Sequence, residues 1–438
     1  MFETLKKAFK IKEIRVKIWY TLLFLLIYRI GSYIPIPGIG DKLLDTETLD
    51  NLTYLNIMNM MTGGSLAQGT FFAMGIGPYI NASIIMQLLA VAIPSLERLS
   101  KQGEEGRKRI AQYTRYLTIL LAIIQAVGIL VSYGSYVYTS TEQMSLAGIL
   151  GNQNWLAFIV VVLFFTAGTV VTMWIGERIT DYGISNGISM LIFAGIIATA
   201  GQTFIQMIGN IASEEGLTYF WKFIIMVVAI ILVFVCIITV ELAERKIPVQ
   251  YAKQIRGQKM YGGQSTVIPI KVNSNGVLPL IFAFSILSFP ELILTLFNLT
   301  STGFGEFWAN YMGVDSWVYP IVLSLLIIFF AYFYTSIQFN PDDISKSIQQ
   351  NGGFIMGIRP GKPTADYLRK ISGRITLFGA IFLALIALVP SLIFKAIDAS
   401  SYGAFTATGM LIVVSVALEF NTALESQIMM KNYKGFLK

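Results

Sequence analysis

The sequence predicts an all-α, polytopic membrane protein. Of its 438 residues, 55% are hydrophobic and only 13% are charged, whereas soluble domains carry roughly 25% charged residues. Long apolar runs recur along the whole chain, and ~20 apolar residues are enough for one helix to cross a bilayer. Ten predicted spans follow, at residues 18–33, 80–93, 112–133, 155–175, 187–208, 222–241, 276–297, 317–338, 373–396 and 403–422.

The positive charges indicate how these spans are oriented. If the basic, amphipathic segment 1–17 is cytoplasmic, 28 of the 32 Lys and Arg residues fall on the cytoplasmic side. Cytoplasmic segments of membrane proteins are enriched in Lys and Arg. The sequence therefore predicts that both termini are cytoplasmic, with a C-terminal tail at 423–438.

Two of the predicted cytoplasmic loops, 242–275 and 340–374, are long and basic. The first contains a β-like run, STVIPIKVN (265–273). The second contains NGGFIMGIRPGKPT (351–364), whose Gly and Pro residues indicate a structured turn rather than a helix. Because loops of this length usually carry function, we expect them to bind partners.

The second span is preceded by a stretch of mixed polarity that begins at Met61. Gly75, Gly77 and Pro78 separate this stretch from the apolar run, and such residues break helices. A broken helix at membrane depth is tolerated only inside protein or beside a water-filled path. The stretch therefore either enters a polar cavity or forms a short outer helix before a span kinked at Pro78, and the sequence leaves both open.

Several kinds of catalytic chemistry find no support in the sequence. The chain has no histidine and one cysteine, Cys236, which excludes an internal disulfide and a cysteine-based metal cluster. A GxSxG match at 183–187 has no histidine partner, and GKPT at 361–364 lacks the first glycine of a P-loop. The sequence predicts no enzyme activity, no cofactor and no metal site.

Polar residues inside the predicted spans are amides rather than charges, namely Gln87, Gln125 and Asn275. Amides in spans often bond between helices. Ion-coupled transporters usually bury ionisable residues at mid-membrane, and none is obvious here. A secondary transporter is nevertheless kept as an alternative function for the chain. It would use the broken second helix to bind a small solute. An intramembrane protease is disfavoured, since the spans carry no paired aspartates.

Seven stretches, in one order along nearly the whole chain, carry a family resemblance. They read RIGSYIPIPG (29–38), MTGGSLAQGTFFAMGIGPYINASIIMQLL (61–89), GEEGRKRIAQYTRY (103–116), MWIGERITDYGISNGISMLIFAGI (173–196), YGGQSTVIPIKVNSNGVLPLIFA (261–283), FYTSIQFNP (333–341) and GIRPGKPT (357–364). Together they resemble the SecY/Sec61-alpha family, the pore-forming subunits of Sec protein translocases.

The resemblance implies a clamshell of ten helices, in which residues 18–210 and 211–422 form two pseudo-symmetric halves, an inverted repeat, around an hourglass pore. Unfolded secretory polypeptides would cross through this pore. A ring of aliphatic side chains would constrict it, and an apolar constriction can block ions by dewetting. By motif matching, the ring falls on Ile76, Ile80, Ile188, Ile192, Ile281 and Ile412.

The resemblance also implies a plug, a short helix that fills the outer funnel of the pore. By motif matching it covers Thr62, Gly63, Gly64, Ser65, Leu66, Ala67, Gln68, Gly69, Thr70, Phe71, Phe72 and Ala73. A lateral gate should open between the second and third spans on one side and the seventh and eighth on the other, which would release membrane helices into lipid. Its expected polar contacts are Asn81, Gln87, Gln125 and Asn275.

The partners that the resemblance implies are SecE and SecG subunits, the SecA ATPase, the ribosome, unfolded secretory and membrane-protein substrates, and the lipid bilayer. The implied location is the bacterial plasma membrane. SecA or the ribosome would dock on the two long loops, with the arginine of the GIRPG turn important for motor-driven export. The candidate docking residues are Lys253, Arg256, Lys259, Arg359 and Lys362.

Overall fold

A computed structural model of the chain describes residues 2–37, 39, 43, 53–139, 154–211, 216–251, 254–256, 259–261, 265–273, 276–296, 303–312, 316, 318–396 and 407–435. Within these ranges the fold is largely helical. Its helices are α1 Phe2–Lys10, α2 Lys12–Gly31, α3 Thr53–Thr62, α4 Gly77–Ala92, α5 Pro94–Ser100, α6 Glu104–Thr139, α7 Asn154–Tyr182, α8 Gly187–Ile211, α9 Gly216–Glu241, α10 Leu278–Leu296, α11 Gly303–Met312, α12 Val318–Gln338, α13 Pro341–Gln350, α14 Lys362–Ala396 and α15 Ala407–Gly435.

Each of the ten predicted spans coincides with one of these helices. Over the described ranges, seven helices are long and apolar enough to cross a membrane, and an eighth is added if α4 and α5 form one broken span. α4 and α5 meet at 106°, because Ile93 is extended and Pro94 starts the next helix. The polytopic helical class is therefore confirmed, and the count of ten is consistent with the structure.

The hydrophobic core is divided between the two halves of the chain. One buried cluster joins residues 36–74 to α6 and α7, through side chains such as Leu66 and Phe165. A second cluster is built mainly from α9, α10, α12, α14 and α15, around Ile327 and Phe282. A third cluster lies where the halves meet, since Ile412 and Val416 of α15 pack there with α2, α7 and α8.

The all-α prediction omitted a small antiparallel sheet. Its three strands are ordered β4–β1–β5, with β1 Glu244–Tyr251, β4 Ser265–Lys271 and β5 Gly353–Ile355. A hairpin of β2 Gln254–Arg256 and β3 Lys259–Tyr261 lies between β1 and β4 in the chain. The β-like run predicted at 265–273 is thus confirmed as a strand over residues 265–271.

The three-stranded sheet has a hydrophobic core of its own. Val249 and Ile355 from its strands pack with Ile348 of α13 and Leu368 of α14. The turn expected at 351–364 is formed by β5 and the residues up to Gly361, but Lys362 already begins α14. The ninth span was therefore predicted to start too late, since polar residues at 362–372 extend the same helix beyond its apolar part.

Candidate functional site

The segment 62–73 is not a helix, and the prediction of a short helix there is wrong. Helix α3 ends at Thr62, and turns run from there to the start of α4 at Gly77. The Gly64 N–H donates to the Asn59 carbonyl (2.9 Å) and the Gly63 N–H to the Met60 carbonyl (3.2 Å). This is a Schellman ending, which requires a positive φ at its first residue beyond the helix, here Gly63. The two glycines have φ of 73° and 87°.

Hydrogen bonds hold the turns of segment 62–73 in place. The Ala67 N–H donates to Asn59 Oδ1 (3.0 Å), and the Ser65 hydroxyl donates to the Thr62 carbonyl (2.9 Å). The segment also pairs with the chain that follows α2, through an isolated bridge between Pro35 and Thr70. Its polar groups therefore find partners within the protein, as a buried non-helical backbone requires.

Most of segment 62–73 is buried. Leu66 and Ala73 are fully buried, and Thr62, Ser65 and Thr70 are exposed by at most 3%. α4 then begins with Pro78 in its first turn, and Gly75, just before the helix, has a φ of 49°. Of the two possibilities that the sequence left open, the structure supports a non-helical segment inside the protein rather than a span that is merely kinked at Pro78.

Two glycines on neighbouring helices allow the backbone around segment 62–73 to come close. A Cβ on Gly195 of α8 would lie 1.9 Å from the Met61 carbonyl oxygen, and a Cβ on Gly168 of α7 would lie 1.9 Å from that of Phe71. Neither glycine was predicted as a site residue. The only signal for them in the sequence is a glycine inside an apolar helix, which is common in membrane spans.

The structure brings five of the six predicted ring isoleucines together. Ile76, Ile192 and Ile412 are buried by at least 96% in the third cluster, and Ile80 and Ile188 pack against it. Phe72 of segment 62–73 is buried in the same cluster. Ile412 comes from the second half of the chain, so this cluster is an apolar contact between the halves.

Ile281 is the exception among the six isoleucines. It packs against the second core cluster, together with α9 and α12 side chains, and not against the third. Ile80 and Val277 pack against both clusters and so connect Ile281 to the other five. The side chains form a continuous apolar contact from α4 across to α10.

The predicted gate lies along a seam where α4 and α6 face α10 and α12. α6 packs against α10 along this seam. The Tyr334 hydroxyl of α12 donates to Gln87 Oε1 of α4 across 2.8 Å, and Gln87 Nε2 donates to Ser83 within α4. Tyr334 was not predicted, because a tyrosine in an apolar run carries no sign of its partner.

The other predicted seam amides differ in their surroundings. Gln125 of α6 is 3% exposed, and its Oε1 has no hydrogen-bond partner within the described ranges. Asn81 is partly buried and follows Ile80 directly. Asn275 lies outside the described residues.

The described candidate docking residues lie on the β2–β3 hairpin and on the segment that leads from β5 into α14. Arg359 is exposed, and its carbonyl accepts a bond of 2.8 Å from the Thr364 hydroxyl. Lys362 is exposed at the first position of α14. Arg256 and Lys259 face each other in the β2–β3 pair. Lys253 lies outside the described residues.

These features define a class of protein: a polytopic membrane protein whose two helical halves meet at a buried apolar cluster, with a largely non-helical segment packed against it. The family model SecY matches residues 70–421. The chain is 42% identical to the protein translocase subunit SecY of Streptomyces scabiei over 443 residues, which cover all of both chains.

The fold is also that of solved channels. "The structure of a protein conducting channel" matches with a TM-score of 0.68 at 20% identity and covers 94% of this chain and 92% of that one. "Sec61 in the Canine ribosome-channel complex from the endoplasmic reticulum" matches with a TM-score of 0.64 at 19% identity over the same shares. The chain belongs to the SecY family of protein translocase subunits, which are channels and not enzymes. Nothing in the comparisons supports a secondary transporter.

Proposed function

We propose that this chain is the protein-conducting subunit of a bacterial Sec translocase. It lies in the plasma membrane, and both of its termini are in the cytoplasm. The observation that carries this proposal is that Ile412 from one half is buried in the same apolar cluster as Ile76 and Ile192 from the other. An apolar constriction of this kind excludes ions when closed. Because it offers no fixed donor or acceptor, a polypeptide of any sequence can slide through it.

In this proposal segment 62–73 is the plug of the closed channel, and the seam between α4 and α12 is the lateral gate. Several short contacts hold the segment, and none of them is covalent, so it can leave when a polypeptide enters. The Tyr334–Gln87 hydrogen bond is the polar contact that must break before a signal sequence or membrane helix passes sideways. Burial of the apolar surface of that helix in lipid drives its exit.

The proposed partners are SecE and SecG subunits in the membrane, and SecA or a ribosome at the cytoplasmic loops. Exposed basic residues support the docking of these partners. Arg359 stands on a turn braced by α13, since the Ser345 hydroxyl donates to the Gly361 carbonyl at 2.6 Å. A braced, exposed cation suits an acidic partner surface or ribosomal RNA phosphates.

Export into proteoliposomes tests this proposal. The chain is reconstituted with SecE and SecG subunits, and SecA, ATP and a labelled secretory precursor are added. We expect ATP-dependent protection of the precursor from protease. Arg359→Glu should remove this protection, while Arg107→Glu, which reverses an exposed charge on α6, should retain it. Absence of protection with folded, assembled subunits would contradict the channel function. Equal protection with both variants would show that SecA docks at a site other than Arg359.

A further inference from the structure

A carboxylate at the base of the three-stranded sheet contacts both that sheet and the helix that carries Ile412. Glu241, the last residue of α9, accepts a bond of 2.8 Å from Asn273 Nδ2 through Oε2. Its Oε1 accepts a bond of 3.1 Å from the Ser415 hydroxyl of α15. Asn273 and Ser415 are exposed by only 7% and 9%. The pore function described above does not use this carboxylate.

Glu241 lies at the point where the sheet joins the membrane helices. β1 begins three residues after it, and Asn273 follows the end of β4 by two residues. The Val272 N–H donates to the Ala243 carbonyl at 2.9 Å, which continues the β1–β4 pairing to Ala243, two residues after Glu241. The ammonium of Lys271 also acts electrostatically on the carboxylate. A displacement of β1 and β4 would therefore act directly on this residue.

On the other side, Ser415 is three residues from Ile412 in α15. Residues three apart in a helix lie on neighbouring positions of one face. Ser415 therefore connects the Glu241 carboxylate to the part of α15 that contributes to the apolar constriction. A bond from a hydroxyl to a partly buried carboxylate is directional, because the carboxylate has fewer competing partners there than in water.

We propose that Glu241 is a positioning residue that couples the three-stranded sheet to the constriction, so that docking on the sheet shifts α15 at Ile412. This inference rests on the proposed function, because it takes the two cytoplasmic loops that contribute the strands of the sheet as the docking surface. Asn273 supplies the connection to the sheet, and Ser415 supplies the connection to the constriction. Loss of either bond should leave docking intact and abolish its effect on the pore.

The test uses the full chain, reconstituted with its partner subunits, in which Cys236→Ser and Ile412→Cys leave one reactive thiol at the constriction. The rate at which a water-soluble maleimide labels this thiol is measured with and without SecA, together with the affinity for SecA. We expect SecA to raise the labelling rate. SecA should bind Ser415→Ala and Glu241→Gln, which removes one acceptor, as well as it binds the reference channel. The rise in labelling rate should be lost in both variants.

The matched control is Ser426→Ala, because within the described part of the chain the Ser426 hydroxyl donates to the Thr422 carbonyl of the same helix, α15. It should keep the full rise. A merely structural role for Glu241 would change the labelling rate without SecA or the affinity for SecA, and either result would overturn the proposal. It is also overturned if the rise persists in both variants, or if bound SecA leaves the rate of the reference channel unchanged. Failure of SecA to bind the reference channel would instead refute the docking surface, and the coupling with it.

Discussion

The Tyr334 hydroxyl and Gln87 Oε1 lie 2.8 Å apart and join helices from opposite halves of the chain. Tyr334 is 4% exposed, so its hydroxyl has little access to other partners. Its ring packs on Phe282 of α10 with the centroids 4.7 Å apart. The ring is therefore packed within the second half of the chain, and its hydroxyl is hydrogen-bonded to a helix of the first half.

Tyr334→Phe should make the seam easier to open. The change removes the hydrogen bond and keeps the ring, and such a bond contributes about 0.5–1.5 kcal/mol, or roughly a two- to tenfold shift between closed and open states. We expect faster export of precursors with weakened signal sequences, measured in proteoliposomes. Tyr332→Phe is the control, because the Tyr332 hydroxyl donates to the Gly373 carbonyl within the second half. Equal effects of both changes would contradict a role specific to the seam.

Gly195→Ala should displace the chain that enters segment 62–73. The added Cβ would lie 1.9 Å from the Met61 carbonyl oxygen, and overpacking of this kind costs about 1–3 kcal/mol. We expect a higher ion leak through the resting channel, measured as conductance in planar bilayers. Gly201→Ala on the same helix has no heavy atom within 4 Å of its added Cβ and should leave the leak unchanged. An unchanged leak in Gly195→Ala would show that close approach at Met61 does not contribute to the seal.

The helices and the site differ in how much of them could be predicted from the sequence. Each predicted span coincides with a helix, because a bilayer demands a long apolar run wherever the chain crosses it. The end of α14 that extends to Lys362 was missed, since a helix that leaves the membrane is no longer marked by hydropathy. The β-like run at 265–273 was recognisable from its own residues.

Contacts between distant residues were harder to predict. Motif matching selected six isoleucines, of which the structure brings five to one cluster, and composition alone would not have selected them. The predicted conformation of segment 62–73 was wrong, because its turns depend on hydrogen bonds to residues within 32–43. Partners such as Tyr334 and Ser415 were missed, since a hydroxyl in an apolar run usually bonds its own helix.

Ile192→Ser should wet the constriction. Ile192 is 4% exposed in the apolar contact between the halves, and a polar group there opposes dewetting. We expect a larger resting conductance to small ions, with the purified complex otherwise assembled as before. The control is Ile197→Ser on the same helix, where the side chain is 45% exposed on the outside of the helix bundle. A similar conductance in both variants would contradict the assignment of Ile192 to the pore.

Gly64→Ala and Gly64→Asn together test whether backbone conformation holds segment 62–73 in place. Gly64 has a φ of 87°, and among the described residues the only atom within 4 Å of a Cβ added there, apart from its chain neighbours, is Gln202 Oε1 at 3.6 Å. Alanine would therefore be destabilising because of its positive φ and not because of crowding by neighbouring atoms, at a cost of roughly 1–2 kcal/mol. Asparagine tolerates positive φ better, so it should restore part of this loss.

We expect the two variants to differ in the protease sensitivity of the 62–73 segment and in resting conductance. Gly64→Ala should raise both quantities, and Gly64→Asn should lie between alanine and the original glycine. Equal increases in the two variants would point to crowding by the side chain instead, and no increase in either would show that the left-handed backbone at Gly64 does not stabilise the closed channel. The order glycine, asparagine, alanine is what a left-handed backbone requirement produces, since only the backbone distinguishes the three residues at this uncrowded position.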